Sequence, residues 1–180
     1  MARKKRIPID KNPFTDYNML KSPFRDSCAA LRRILMVVKD YIELIEQQNK
    51  ERDSIYHNVA LKYGLSDTAM WILYNVCASD EAVTQQELCR QCFFAKQTVN
   101  TTITSLIKNE LVTLEVIPGT RNKKKILLTE SGKVLIEEKI MPLIEAEICA
   151  YSVLSENELK TYLEMSSRLT TALREETEKL

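Results

Sequence analysis

The fold is decided by residues 84–128, TQQELCRQCFFAKQTVNTTITSLIKNELVTLEVIPGTRNKKKILL. Thr84 and Glu87 have the spacing of a capping box, in which a hydroxyl and a carboxylate each accept a hydrogen bond from an amide at the helix end. This box predicts a helix that runs to about Cys92. A second helix is predicted over Ala95–Lys108, so the two form a helix-turn-helix.

A β-hairpin is predicted directly after these two helices. Residues 111–117 are rich in β-branched side chains, residues 118–122 have the composition of a turn, and Lys124–Leu128 returns as a second strand. Two strands cannot build a core alone, so they must pack against helices. The predicted fold class is therefore mainly α with a small β-hairpin wing, a winged helix-turn-helix flanked by N- and C-terminal helices.

The flanks have helical periodicity and are assigned to dimerisation. The chain divides into an N-terminal arm (residues 1–24), an N-terminal dimerisation region (25–63), the winged helix-turn-helix (64–133) and C-terminal dimerisation helices (134–180). Gly64 ends the first helical region, as one helix or two, and Pro142 is expected to kink the first C-terminal helix. The apolar stripes on these flanks exceed what one wing domain can cover, which predicts a two-fold dimer.

The Ala95–Lys108 helix separates two faces. Val99, Ile103, Leu106 and Ile107 have the spacing of a face buried on a core. The opposite face is rich in amides and hydroxyls and contains no acid before Glu110. Its candidate DNA-binding residues are Lys96, Gln97, Asn100, Thr101, Thr104 and Lys108. Amide side chains can bond adenine edges and threonine methyls can contact thymine methyls, whereas a merely solvated face is the alternative.

The hairpin tip concentrates positive charge next to this helix. The candidate wing residues are Arg121, Asn122, Lys123, Lys124 and Lys125. Between Thr84 and Lys133, eight basic and four acidic side chains leave a charge of +4, although the whole chain has a net charge of only +1. The positive charge therefore lies where a polyanionic duplex would bind.

Other function classes find little support in the composition. No apolar run is long enough to span a bilayer, and the basic start is not followed by a secretory apolar stretch, so a cytoplasmic protein without membrane contact is expected. There is no phosphate-binding glycine motif or nucleophile elbow, and the single histidine, His57, offers no triad. We therefore expect the protein to have no catalytic site and no cofactor, and not to be an enzyme.

The cysteines are expected to be reduced thiols. Cys89 and Cys92 form a Cys-x-x-Cys pair, but a zinc site usually needs a second pair of ligands, so no metal site is predicted. Within a helix-turn-helix the two are interpreted as buried structural thiols. Cys28, near the start of the first long helix, is the candidate for sensing oxidation, because its oxidation could spread a dimer.

Residues from about Leu65 to Leu173 resemble the MarR family of bacterial transcriptional regulators. The matching segments, in order, are Leu65-Ser66, Thr84-Gln85-Gln86-Glu87-Leu88, Lys96-Gln97-Thr98-Val99-Asn100, Leu106-Ile107-Lys108-Asn109-Glu110-Leu111-Val112, Arg121, Leu128-Thr129-Glu130-Ser131-Gly132 and Leu154-Ser155-Glu156-Asn157-Glu158-Leu159. The resemblance implies a homodimer that reads a pseudo-palindromic operator in double-stranded DNA. It also implies major-groove positions for six residues, which add Thr98 to the candidates: Lys96, Gln97, Thr98, Asn100, Thr101 and Thr104. It also implies repression, relieved in many members by a small anionic or phenolic effector or by thiol oxidation.

Three positions depart from the family pattern. Thr120 replaces the usual acid before the wing arginine, and Ala95 replaces the usual serine-type N-cap. Glu110 replaces the glycine that usually ends the recognition helix, so Asn109 is expected to be the left-handed cap.

The sequence thus favours a DNA-binding transcriptional regulator, with repression as the expected mode. Two alternatives stay open: a thiol-based redox-sensing regulator of the same fold, and a winged-helix protein-interaction module without DNA affinity. The second alternative predicts apolar or acidic residues on the outer face of the Lys96–Lys108 helix, and this face has none.

Overall fold

The computed structural model of the protein describes residues 28–79, 83–120 and 123–180, with side chains from residue 36 onward. Within these residues the elements are α1 (Cys28–Tyr63), α2 (Asp67–Ala78), α3 (Gln85–Gln91), α4 (Lys96–Lys108), β1 (Val112–Val116), β2 (Lys124–Leu128), α5 (Glu130–Leu135), a π-helical turn (Ile136–Ile140), α6 (Met141–Tyr151) and α7 (Glu156–Thr177). This order confirms the predicted fold class. The predicted arm at residues 1–24 lies outside the described part.

The chain forms two compact units, one ending at Tyr56 and the other comprising His57–Leu180. The described part of the first unit is the stretch of α1 from Cys28 to Tyr56, and the last residues of α1 belong to the second unit. Helix α1 is continuous over 36 residues. The sequence allowed one helix or two in this region, and the structure has one. It ends as predicted at Gly64, whose φ of 72° is the left-handed conformation. Leu65 N–H donates to Ala60 C=O at 2.9 Å, which completes a Schellman motif.

Four polar side chains begin helices where the sequence predicted them. Ser66 Oγ accepts from Ala69 N–H, Thr129 Oγ1 accepts from Gly132 N–H, and Thr84 and Ser155 form complete capping boxes with Glu87 and Glu158. Each cap satisfies amides that have no partner within the first helical turn. The beginnings of α2, α3, α5 and α7 are therefore determined by local sequence.

The core of the second unit lies between the helices and the hairpin. Its fully buried side chains include Met70, Ile72, Leu73, Leu88, Val99, Ile103, Leu106, Val112 and Ile140. Strands β1 and β2 pair antiparallel, from Val112 opposite Leu128 to Val116 opposite Lys124. Ile126 N–H donates to Val83 C=O at 2.8 Å, and Thr84 forms a bridge with Lys125. The residues just before α3 are thus attached to the wing.

The first C-terminal helix is interrupted next to Pro142. This proline lies in the first turn of α6, directly after the π-helical turn. Proline in an α-helix clashes with the carbonyl four residues earlier, and a widened turn relieves that clash. Lys139, within the π-helical turn, donates from Nζ to Tyr63 C=O at 2.9 Å, which satisfies a carbonyl at the end of α1.

Large apolar side chains remain uncovered on three helices of the protomer. They include Met36, Ile42, Ile45 and Ile55 on α1, Met141 and Ile148 on α6, and Tyr162, Leu163, Met165, Leu169 and Leu173 on α7. Helix α7 buries no residue over its 22 positions. No helix in the described ranges is long and apolar enough to cross a membrane.

We predict that Gly132→Ala destabilises the fold strongly. A Cβ at this position would lie 2.0 Å from Leu111 O and 3.0 Å from Leu111 C, both backbone atoms that cannot move aside independently. The expected cost is about 3 kcal/mol, which lowers the melting temperature by roughly 6–12 °C. Thermal denaturation followed by circular dichroism measures this shift.

Gly64→Ala is the matched control. A Cβ at Gly64 meets no atom within 4 Å, so only its positive φ opposes the substitution. The expected cost there is about 1 kcal/mol. Equal melting temperatures for the two variants would contradict the steric explanation at Gly132.

Candidate nucleic-acid interface

Helix α4 presents one apolar face to the core and one polar face to solvent. Val99, Ile103 and Leu106 are buried on the inner face. The exposed side chains include all seven candidates for DNA binding on this helix: Lys96, Gln97, Thr98, Asn100, Thr101, Thr104 and Lys108. The prediction for Ile107 was wrong, since this side chain is 40% exposed. It lies about 80° around the helix from Val99, at the edge of the buried stripe.

The start of α4 has no side-chain cap. Ala95 is the N-cap residue and makes no such hydrogen bond, as its departure from the family pattern predicted. Phe94 and Val99 occupy the two positions of a hydrophobic staple, and both are at least half-buried. We infer that apolar packing around the first turn substitutes for the missing cap.

Threonine hydroxyls on α4 are engaged within the helix itself. Thr104 Oγ1 donates to Asn100 C=O at 2.8 Å, and Thr102 Oγ1 donates to Thr98 C=O at 2.9 Å. These bonds to the preceding turn use the hydroxyl hydrogens. Thr104 therefore retains its methyl group and oxygen lone pairs for an external contact, while Asn100 retains its side-chain amide.

The wing contains lysines of two kinds. Lys123 and Lys124 are exposed, whereas Lys125 is half-buried and forms an ion pair with Glu115 across the strands at 3.3 Å. Lys125 thus holds the hairpin together as well as adding charge. The turn is closed by Ile117, whose N–H donates to Lys123 C=O and whose C=O accepts from Thr120 Oγ1. Arg121 and Asn122, both predicted wing residues, lie outside the described residues.

A cleft of about 490 Å³ joins the helix-turn-helix to the wing. It is lined by Thr84, Gln85, Gln86, Cys89, Lys96, Asn100, Lys123 and Lys124. Four of the predicted site residues therefore converge, two from α4 and two from the wing. The other described candidates, Gln97, Thr98, Thr101, Thr104, Lys108 and Lys125, do not line this cleft.

Sequence reasoning missed the contribution of α3 to this cleft. Gln85 and Gln86 occupy the first turn after the Thr84 cap, and the bridge between Thr84 and Lys125 places that turn beside the wing. Glu87, which follows Gln86 on α3, has a lowered pKa because it accepts hydrogen bonds from Thr84, with a smaller contribution from Lys123. Its negative charge is thus engaged by the cap.

The end of α4 corrects another expectation. Asn109 has a φ of −86°, and Glu110, not Asn109, has the left-handed conformation with a φ of 56°. Leu111 N–H donates to Leu106 C=O at 3.0 Å, so Glu110 occupies the position that favours glycine in a Schellman motif. The geometry of the helix end is kept although the glycine is missing.

The model of the MarR family matches residues 63–121, from the last residue of α1 to the tip of the hairpin. This match covers α2, α3, α4 and β1 in the order that the geometry above describes. Residues 63–121 thus form a winged-helix domain similar to those of the MarR family. No curated protein matches the chain in sequence.

Solved structures extend the likeness of the MarR-type domain to its helical flanks. Staphylococcus aureus MepR in its DNA-binding conformation is 21% identical, with a TM-score of 0.64 over 74% of this chain and 98% of MepR. A MarR-family regulator from Listeria monocytogenes, complexed with a 26-mer DNA, is 18% identical, with a TM-score of 0.60 over 75% and 89%. S. aureus MarR with salicylate and kanamycin is 16% identical, with a TM-score of 0.59 over 80% and 97%. At these identities the likeness establishes the fold.

The cysteines of the MarR-type domain differ from the prediction. The sequence predicted buried structural thiols, whereas Cys89 and Cys92 are half-buried, since they lie at the end of α3 beside the exposed Arg90 and Gln91. Within the described residues, no three His, Cys, Asp or Glu side chains converge as metal ligands would. Cys28 begins α1, but its side chain lies outside the described part. His57 Nδ1 lies 2.9 Å from Asp67 Oδ1, so it links the end of α1 to the start of α2.

Phe93 was not identified from the sequence as a site residue. It lies in the turn between α3 and α4, is 90% exposed and has a φ of 54°. A left-handed conformation costs a residue with a side chain about 1–2 kcal/mol, and such strain concentrates at functional sites. A phenylalanine that is both strained and exposed does not stabilise the protomer, which makes it a candidate for contact with a partner.

We predict that Phe93→Gly stabilises the MarR-type domain. Glycine adopts positive φ freely, although it adds entropy to the unfolded chain, so the expected net gain is about 1 kcal/mol. The melting temperature should rise by roughly 2–4 °C. Phe94→Gly is the control and should be destabilising, since Phe94 is half-buried and precedes the N-cap of α4. A fall in the stability of Phe93→Gly would contradict the strain.

Proposed function

We propose that this chain is a homodimeric transcriptional regulator that binds a pseudo-palindromic operator in double-stranded DNA. The observation that carries the proposal is the outer face of α4. It is exposed, it offers amides, hydroxyls and lysines without an acid, and it borders the same cleft as the wing lysines. This combination matches the donors and charges that a duplex requires.

Helix α4 would enter the major groove as the recognition helix. Asn100 and Gln97 carry the amide group that can bond adenine bidentately, and the methyl group of Thr104 suits a thymine methyl. Lys96 and Lys108, at the two ends of the helix, would contact phosphates. Thr98 and Thr101 complete the proposed surface of α4.

The wing would follow the DNA backbone beside that groove. Lys123 and Lys124 are exposed lysines bordering the cleft, so they are the proposed phosphate contacts. Lys125 would contribute less, because Glu115 neutralises much of its charge. Arg121 and Asn122 belong to the proposed contact through the sequence alone, with Arg121 in the minor groove.

The related structures support this reading. The structure of MepR was solved in complex with DNA, and the Listeria regulator was complexed with a 26-mer DNA.

The MarR family comprises transcription regulators and not enzymes, so its domain in this chain argues against catalysis. A protein-interaction module without DNA affinity has less support, because the exposed face of α4 is neither apolar nor acidic. Since its partner is chromosomal DNA, we place the protein in the bacterial cytoplasm.

The uncovered apolar side chains support the homodimer. On α7, Tyr162, Met165, Leu169 and Leu173 recur every three or four residues, so they form one stripe. Monomeric proteins rarely expose contiguous apolar patches of this kind. A second copy would bury the stripe and set the distance between two recognition helices.

Repression relieved by a small effector is the regulatory mode that we propose. S. aureus MarR was solved with salicylate and kanamycin, which supports a small-molecule effector for this chain as well. An effector must bind the DNA-free arrangement of the dimer better than the bound one in order to release the operator.

Selection of preferred sites from random duplex DNA tests the function directly. We expect an enriched pseudo-palindrome whose half-sites lie about one helical turn apart, because a two-fold dimer presents two recognition helices. Recovery of no preferred duplex would overturn the proposal. The selected duplex is then used to measure DNA binding by the variants.

We predict that Lys123→Ala with Lys124→Ala reduces the salt dependence of DNA binding. Each lost phosphate contact lowers the slope of log K against log salt by about 0.9, so the double variant should lose about 1.8 per protomer. Fluorescence anisotropy at several salt concentrations measures the slope. Lys160→Ala is the control, since Lys160 pairs with Glu156 on α7. An unchanged slope in the double variant would remove the proposed role of the wing.

We predict that Asn100→Ala reduces discrimination between the selected duplex and an unrelated one. A bidentate base contact is worth about 1–3 kcal/mol, so the ratio of the two affinities should fall about tenfold or more. Asn157→Ala, an exposed asparagine in the first turn of α7, is the control. The assignment of Asn100 to base recognition fails if both duplexes are weakened alike.

We predict a dimer in solution. Multi-angle light scattering at micromolar concentration should give twice the 20.8 kDa mass of the protomer. Leu169→Asp with Leu173→Asp should shift the protein toward monomer, because two charges would enter the buried stripe. Ser167→Asp with Thr171→Asp, on the opposite face of α7, should leave the dimer intact. A monomeric parent protein would contradict the proposed interface.

A further inference from the structure

Two thiols lie at the base of the recognition helix. Cys89 is in the last turn of α3, and Cys92 is its C-cap residue, with its N–H donating to Leu88 C=O at 2.9 Å. Residues three apart on a helix are neighbours on its surface. Both thiols are half-buried, and Cys89 borders the cleft. They therefore form a partly accessible pair beside the proposed DNA-binding surface, and the proposed function assigns them no role.

We propose that Cys89 and Cys92 form a redox-active dithiol, oxidised by an anionic low-molecular-weight disulfide, and that this oxidation lowers the affinity of the chain for DNA. The effect on DNA rests on the proposed function. The dithiol itself rests on the position of the two thiols and on the charge around them.

The spacing of the two residues permits a disulfide after a small movement. Side chains at i and i+3 of a helix have Cβ atoms about 5–6 Å apart, whereas a disulfide requires about 3.5–4.5 Å. The bond must therefore tighten the last turn of α3 by about 1–2 Å. That movement would displace the segment that follows Cys92.

The segment after Cys92 leads directly into the recognition helix. Phe93 has a positive φ, and Ala95 begins α4 without a side-chain cap. Neither side chain therefore anchors the turn between α3 and α4 by a hydrogen bond. Tightening the end of α3 would move the first turn of α4, where Lys96 faces the cleft.

The cleft favours an anionic reagent at Cys89. Cys89 lines it together with Lys96, Lys123 and Lys124. Three ammonium groups attract a negatively charged molecule and repel a cationic one. The volume of about 490 Å³ lies within the range of small-molecule sites.

The chemistry is two successive thiol–disulfide exchanges. Cys89 loses its proton, and its thiolate attacks one sulfur of the reagent RSSR. One RS⁻ leaves, takes up a proton, and a mixed disulfide remains on Cys89. Cys92 then loses its proton and attacks the Cys89 sulfur, which releases the second RS⁻ to be protonated. Two protein thiols are oxidised and one reagent disulfide is reduced to two thiols, with no net change in protons.

The order of attack follows from burial. Burial, together with the neighbouring Cys89, raises the pKa of the Cys92 thiol, so less of it is thiolate at neutral pH. Cys89 borders the cleft and meets the reagent first. Cys92 then acts as the resolving thiol, since its target is already adjacent.

The test compares glutathione disulfide, which is anionic, with cystamine, which is cationic, on the full reduced chain. Mass spectrometry of the peptide containing residues 89–92 should show the loss of two hydrogens, faster with glutathione disulfide than with cystamine. Affinity for the selected duplex should fall at least tenfold on oxidation and return with dithiothreitol.

Variants identify the thiols that respond. Cys89→Ser should keep its DNA affinity under glutathione disulfide, and Cys92→Ser should stop at the mixed disulfide on Cys89. Cys149→Ser, which removes an exposed thiol on α6, should respond like the parent chain. Reduced Cys89→Ser should have the circular dichroism spectrum and melting temperature of the parent, which shows that it is folded.

Three outcomes would overturn the dithiol: a persistent glutathione adduct in the parent chain, faster oxidation by cystamine, or a response that survives Cys89→Ser. A disulfide that leaves DNA affinity unchanged would overturn its proposed effect on DNA binding. If the reduced chain binds no duplex, the proposed function fails. The mass change and the ratio of the two oxidation rates still decide whether the dithiol exists.

Discussion

The burial of the inner face of α4 is the constraint on which the rest of this domain depends. Val99, Ile103 and Leu106 are fixed against the core formed by α2, α3 and β1. A helix whose apolar stripe is buried has no freedom to rotate about its axis, so the opposite stripe must face solvent. The exposure of Asn100 is thus a consequence of packing and not a separate feature.

Backbone contacts hold the hairpin against the helix-turn-helix. Ile126 N–H bonds Val83 C=O just before α3, and Gly132 allows α5 to approach Leu111 just before β1. Both contacts lie close to the ends of the helix-turn-helix. The wing lysines and α4 therefore border one cleft because of how the backbone packs, although they are separated by more than twenty residues in sequence.

Features that depend on local sequence were predictable. The four polar caps, the left-handed Gly64 and the hairpin all follow from interactions within a few residues, and all were confirmed. The polar face of α4 was predictable for the same reason, since helical periodicity determines which residues share a face.

Features that depend on tertiary packing were not predictable. Ile107 has the periodicity of a core residue but lies beyond the edge of the buried stripe. Glu110 takes a conformation that its side chain disfavours, because the contacts that end α4 require it there. The place of Gln85 and Gln86 beside the wing follows from the bridge between Thr84 and Lys125, which joins residues forty positions apart. Exposure of Cys89 and Phe93 likewise depends on where neighbouring helices end.

The π-helical turn at Ile136–Ile140 restricts how this chain can vary in length during evolution. Adding or removing one residue in a helix rotates everything beyond it by about 100°. Such a change would carry Lys139 away from the end of α1 and turn Leu143 out of the core. Insertions and deletions among homologues should therefore be rare in this segment and more common at the hairpin tip, where a length change rotates no element.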